Sequence, residues 1–247
     1  MAMQPKLTLL GGSAYRSIRN LWMLHELDLP FTHVPCGPRS EEAKAADPST
    51  FGKIPILLDG DLALRESAAI NTYLGDAYGT QMTKRLVPPA GTRARAKYDE
   101  CVITLMAELD AQGLWIHRKH QALASVFGAC PTAVTHAQQH TARVFRIMAR
   151  QLATPGPYLL GATFSAADIL FVTLCNWAER IGGEWAAWAT ARPGADPAEG
   201  DEFDAMRGYL CECRARPAFV RARAMQPGPT LHLDARPPGK DADDGGG

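Results

Sequence analysis

Residues 51–74 read FGKIPILLDGDLALRESAAINTYL. Apolar residues follow Pro55, Gly60 marks a turn, a second short apolar run follows, and the stretch closes in a helical pattern. The reading is strand, turn, strand, helix, with Pro55 opening the first strand and Glu66-Ser67 where the second meets the helix. A proline at a strand start is tolerated because it has no N–H to give to a ladder. An acid beside a hydroxyl at a helix start has two readings. It can be a plain cap with a first-turn acid, or it can sit where free N–H groups and partial positive charge receive a carboxylate.

Upstream, KLTLLG and PFTHVPC read as strands, YRSIRNLWMLHEL carries the helical stripe Ile18, Leu21, Trp22 and Leu24, and RSEEAKAA is a short polar helix. The order is β-α-β-α-β-β-α. After residue 79 the pattern changes. GTQMTKRLVPPAG, with paired prolines, is a linker, and only helical periodicity follows. Tyr98, Val102, Leu105 and Leu109 share one face of a long helix. A second helix spans roughly 131–153. A third begins after Ser165 and is apolar nearly all round, and the last covers DAMRGYLCECRA. Ser165 and Asp168 have capping-box spacing, with Phe164 and Ile169 placed as a hydrophobic staple, so Asp168 is structural. Residues 190–202 read as a loop, and Pro, Gly and Asp dominate from Gln226 onward, as in a disordered tail.

Lys and Arg number 26, as do Asp and Glu, so the net charge is zero, which argues against nucleic acid or an anionic membrane as partner. No apolar run reaches the ~20 residues of a membrane helix. MAMQPKLTLLGG lacks the apolar core of a secretory signal. The six cysteines form no CxxC pair and several fall in helical patterns. They read as reduced thiols of a cytoplasmic protein. His117 with His120, and His136 with His140, have spacings that tempt a metal reading. Without HExxH or a convergent acid they read as surface histidines, and no metal is expected. Cys211 and Cys213, at i and i+2, point to different helix faces.

GKIP, LRESAAINTYL and FSAAD, in this order in a small αβ region followed by helices, resemble the soluble glutathione transferase family. ELDAQGLWIHRKH looks like the corresponding helix of bacterial members. The resemblance covers roughly residues 5–222. It implies an α/β plus all-α architecture, with a thioredoxin-like glutathione-binding domain over 5–79 and a linker over 80–91. An all-helical domain lining the acceptor site covers 92–225, a tail covers 226–247, and the protein is usually a homodimer. It implies glutathione as co-substrate and a small hydrophobic electrophile as acceptor, a chemistry used in detoxification.

By this resemblance Ile54, before a cis Pro55, offers its backbone to the cysteinyl part of glutathione, as an added strand would. The residues alone equally allow a trans proline on an edge strand. Glu66 would pair with the ligand's amine, and Ser67 with the helix start would take its carboxylate. Lys53 would meet the glycyl carboxylate or stand solvated. A thiol of pKa ~8.5 reacts as its thiolate. Lowering it by two units takes about 2.7 kcal/mol. A helix N-terminus supplies about 0.3–1 kcal/mol, at most about 2. A hydroxyl bonded to the anion adds about 1.5–3 kcal/mol. A hydroxyl is therefore wanted at the first strand–helix junction, GGSAYRSIRN, where no cysteine stands. Ser13, in the loop before the helix, is the first candidate and Tyr15 the second. Ser17 falls in the first helical turn, where its hydroxyl faces solvent, and Gly12 occupies the catalytic position of some classes. Trp115 is either an acceptor-site wall or core. Isomerisation, dehalogenation and peroxide reduction would use the same glutathione site, and a non-catalytic glutathione-binding protein would share the fold.

Overall fold

The computed structural model describes residues 7–47, 51–79, 85–153, 156–182, 203–225 and 227. The first region follows the expected order: β1 (Leu7–Leu10), α1 (Ile18–Glu26), β2 (Phe31–Val34), α2 (Glu41–Ala46), β3 (Ile56–Asp59), β4 (Leu62–Arg65) and α3 (Ser67–Tyr78). The sheet order is β2-β1-β3-β4. β1 runs parallel to β2, while β3 is antiparallel to both β1 and β4. Helix α1 begins at Ile18, the first residue of its apolar stripe and three residues after the start of the segment YRSIRNLWMLHEL. Gly11 turns the chain at φ +127°, and the Tyr15 and Ile18 amides bond back to Gly12 and Tyr15 at 3.1 and 3.2 Å. These tight turns use up residues 12–17. Leu21, Trp22 and Leu24 are then fully buried, as the stripe requires.

The helical region opens with α4 (Arg93–Thr104), widens into a π-helical segment (Leu105–Trp115) and continues as α5 (Ile116–His120). Tyr98, Val102, Leu105 and Leu109 all face the core. After α6 (Ala124–Phe127), α7 (Pro131–Leu152) opens on a proline, whose missing N–H costs nothing at a first helical position. Helix α8 (Ala166–Ile181) is the central one, with Ile169, Leu170, Phe171, Val172 and Leu174 fully buried. Its capping box forms: Asp168 Oδ2 accepts the Ser165 amide at 2.8 Å. Asp168 Oδ1 also takes the Leu159 amide and the Tyr209 hydroxyl, both at 3.0 Å, so the cap acid ties a loop and α9 (Asp204–Ala215) to the core.

Reading the final helix to end at Ala215 misses one element. Arg216 is extended at ψ 130°, and Pro217 starts α10 (Pro217–Ala224). That helix lies against α1. Arg216 grips Glu26 through two bonds of 2.6 and 2.8 Å, and Phe219 stacks 4.5 Å from Trp22. Residues 190–202 and the tail, apart from Pro227, lie outside the described residues.

The linker docks on both regions. The Leu86 carbonyl accepts the Ala166 amide at 2.8 Å, and a Cβ on Gly75 would lie 2.3 Å from Val87 Cγ2. Gly75→Ala is therefore expected to cost about 1–3 kcal/mol by overpacking. Urea unfolding checks this, and Val87→Ala in the same chain should return part of the loss.

Candidate functional site

Three loops converge at one end of the sheet. The β3–β4 register pairs Ile56 with Arg65, so one residue further Pro55 faces Glu66. The β1–β3 register pairs Leu10 with Ile56, which sets Gly11 beside Pro55. The Ile54-Pro55 bond is cis. The β3 ladder begins at Ile56, leaving the backbone of Ile54 outside it. A Cβ on Gly11 would meet Ser17 Oγ at 2.1 Å and Ile54 Cβ at 3.2 Å, so only glycine allows this approach.

Ser17 departs from the sequence reading. It caps α1, is fully buried, and its hydroxyl lies under Gly11 rather than in solvent. The cause is again the turns over 12–17, which bring Ser17 to the start of the helix and inside the junction.

Glu66 is exposed at φ 64°, the N-cap position of α3, and Ser67 is the first helical residue, 2% exposed. Ser67 Oγ accepts a hydrogen bond from Arg19 Nη1 at 3.1 Å. A hydroxyl has one proton and accepts with its lone pairs, so this contact leaves the Ser67 proton available as a donor. Arg19 is buried and reaches Thr173 Oγ1 through Nε at 3.2 Å and Asp110 Oδ2 through Nη2 at 2.7 Å. Asp110 also holds Arg16, whose Nε donates to Oδ2 at 2.9 Å and whose Nη2 contacts Oδ1. Burial pushes the Asp110 carboxyl up, but the charges of Arg19 and Arg16 outweigh it and hold it below the usual value. The first region is thus bolted to the π-helical segment and α8 directly behind Ser67.

Ser13 and Tyr15 lie on the same junction loop, both half-buried. The Ser13 hydroxyl donates to the Met225 carbonyl at 2.8 Å, and the Ala14 amide to Pro227 O at 3.2 Å. The chain after α10 therefore crosses this loop. Lys53 is exposed, with Nζ 5.7 Å from the Phe51 ring. Trp115 is half-buried, edge-on to Phe127 at 6.2 Å. The Arg16 guanidinium lies 5.7 Å from the Trp115 ring and 4.8 Å from Trp177. Trp115 is thus joined through Arg16 to the loop that carries Ser13 and Tyr15. His117 is a correction: it is 3% exposed and meets Gln138 Nε2 at 3.4 Å, because its helix turns that face onto α7. Among the described residues no group of three metal-ligating side chains forms, and no helix is long and apolar enough to cross a membrane.

Sequence reasoning missed Arg16, Arg19 and Asp110. The available signal was a charge inside an apolar helical stretch, IRNLWML, and a second inside LMAELDAQGLW. Nothing in either stretch says that the two charges meet.

Comparisons with known proteins agree with this fold. The family model described as "Glutathione S-transferase, N-terminal domain" matches residues 12–82, and "Glutathione S-transferase, C-terminal domain" matches residues 89–209. The chain is similar to Glutathione S-transferase 3 of Zea mays, 30% identical over 163 residues, which are 61% of this chain and 68% of the relative. It is 29% identical over 178 residues to Glutathione S-transferase F14 of Arabidopsis thaliana, covering 66% of this chain and 65% of the relative. In fold it is similar to the glutathione transferase URE2P8 of Phanerochaete chrysosporium, solved with oxidized glutathione. The TM-score there is 0.71 at 21% identity, over 90% of this chain and 95% of the other.

Proposed function

The chain belongs to the glutathione S-transferase family and is a glutathione-dependent transferase, and from that premise we propose how its residues divide the work. Residues 5–79 hold glutathione. The backbone of Ile54, beside cis Pro55, pairs with the cysteinyl part; Glu66 takes the amine; Ser67 and the first N–H groups of α3 take the neighbouring carboxylate. Lys53 meets the glycyl carboxylate. Ser13 donates its hydroxyl proton to the sulfur once it exchanges the Met225 carbonyl for the ligand, and Tyr15 stands beside it. Residues 92–225 supply the acceptor site, with Trp115 as one wall. The reaction is attack of the thiolate on a small electrophile, with detoxification as the biological outcome.

The observation that carries this reading is the bond from Arg19 Nη1 into Ser67 Oγ, which leaves the Ser67 proton available to donate at the start of α3, next to Ile54-Pro55. Calorimetric titration with glutathione tests it. Ser67→Ala should weaken binding about 10- to 100-fold, the worth of a hydrogen bond to a charged group. The pKa of the bound thiol should be unchanged. Unaltered affinity would remove Ser67 from the site.

The protein acts as a homodimer in this reading, and as a cytoplasmic one, supported by buried free thiols at Cys101, Cys175 and Cys213. A groove of about 880 Å³ between β4, α3 and α4 is lined by Leu62, Leu64, Tyr73, Ile103 and Met106. Ile103 stands 66% exposed there. Apolar surface of this kind favours a second copy over water. Light scattering should give twice the chain mass, and Ile103→Glu should give the monomer.

A further inference from the structure

Positive charge collects where the junction loop meets the end of the π-helical segment and α8, on a chain whose formal net charge is zero. Trp115 and Arg118 are three residues apart where the π-helical segment passes into α5, and Trp177 and Arg180 are three apart on α8. Each arginine thus lies on the same helix face as its tryptophan. The Arg16 guanidinium, near both indoles, brings those faces together. Arg16 and Arg19 share the single carboxylate of Asp110, so that cluster keeps one positive charge. Arg118, Arg180 and, at the end of α10, Arg223 form no ion pair among the described residues. They also feel one another. Burial first, then the charge of Arg16, pushes Arg118 below the ordinary arginine value, with Tyr15 pulling the other way. Arg180 is exposed at the end of α8, and partial burial of its head, then Arg118 and Arg223, lowers it likewise. Among the described residues no carboxylate pairs with these three cations, and like charges gathered this way attract an anion. Flanking indoles give that anion a flat apolar body to stack on.

We infer that the acceptor site takes an anionic aromatic electrophile, its ring against Trp115 and Trp177 and its carboxylate or sulfonate on Arg118 and Arg180. This deepens the transferase reading and rests on it for the chemical step. With 4-chloro-3,5-dinitrobenzoate, the glutathione sulfur bonds to the ring carbon that carries chlorine. The C–Cl bond then breaks, chloride leaves with its electron pair, and the thiol proton has gone to solvent. The net change is substitution, with no oxidant or reductant.

The test has a binding arm and a turnover arm. Calorimetry on the full chain compares 3,5-dinitrobenzoate with neutral 1,3-dinitrobenzene. The anion should bind about tenfold more tightly, and the advantage should shrink with added salt. In the Arg118→Gln and Arg180→Gln double variant the ratio of the two affinities should fall toward one. Turnover of 4-chloro-3,5-dinitrobenzoate against 1-chloro-2,4-dinitrobenzene, each divided by its uncatalysed rate, should show the same preference. Equal affinities in the native chain, or a variant that shifts both probes alike, overturns the inference. Glutathione affinity measured on the same preparations separates the two claims. Glutathione bound without anion preference sinks the acceptor assignment alone. Anion preference without glutathione binding sinks the transferase reading and leaves the anion site standing.

Discussion

Asp110→Ala is expected to lower the free energy of unfolding by about 3–5 kcal/mol, the cost of stripping one partner from a buried ion pair. Arg19 is 1% exposed and would keep its charge with Thr173, Ser67 and a methionine sulfur as remaining neighbours. Arg16 would lose its carboxylate as well. Urea unfolding measures the loss, and Asp110→Asn should fall between, since an amide oxygen still accepts. The wild type should show a matching pH dependence. The folded pKa of Asp110 is lowered, so the stability it contributes is fully present above the ordinary carboxylate value of ~3.9 and fades as pH drops through the lowered value. The acid limb of the stability curve should therefore be shallower in Asp110→Ala. Because Arg19 orients Ser67, glutathione affinity should fall in the same variant. A variant that unfolds like wild type would mean the triad is dispensable.

Ser13→Ala is expected to reduce turnover about 10- to 100-fold, the loss of a hydroxyl bonded to an anion worth about 1.5–3 kcal/mol. The pKa of the bound thiol should rise by about one to two units. Glutathione affinity at low pH, where the thiol is neutral, should change little. The contact between Ser13 and Met225 O sharpens the expectation, since the hydroxyl must release a backbone carbonyl before it can serve sulfur. Tyr15→Phe, read in the same assay, should have the smaller effect. If Tyr15→Phe abolishes thiol activation while Ser13→Ala is silent, the two roles are reversed.

Much of the fold was legible because local signals agreed with the tertiary structure. The alternation around Gly60, the stripe of α1 and the Ser165–Asp168 box each describe contacts within a few residues, and each formed. The meeting of Pro55 and Glu66 was legible for the same reason, since a two-strand hairpin joins them. What could not be read were contacts across long sequence separations. Arg19 and Asp110 are 91 residues apart, and neither stretch predicts the other. The burial of Ser17 goes with the close approach of Gly11 to its hydroxyl, and helical periodicity carries no trace of that. Helix α10 was hidden by Pro217, which marks a helix stop and a helix start equally well. Missing α10 also concealed the chain segment that crosses Ser13.

The most direct test titrates the thiol of glutathione bound to the protein by the ultraviolet absorbance of its thiolate. The sulfur should ionise about two pH units below its free value of ~8.5, and lose most of that shift in Ser13→Ala. A bound thiol that titrates at its free value would contradict the assignment of this junction as the thiol-activating site.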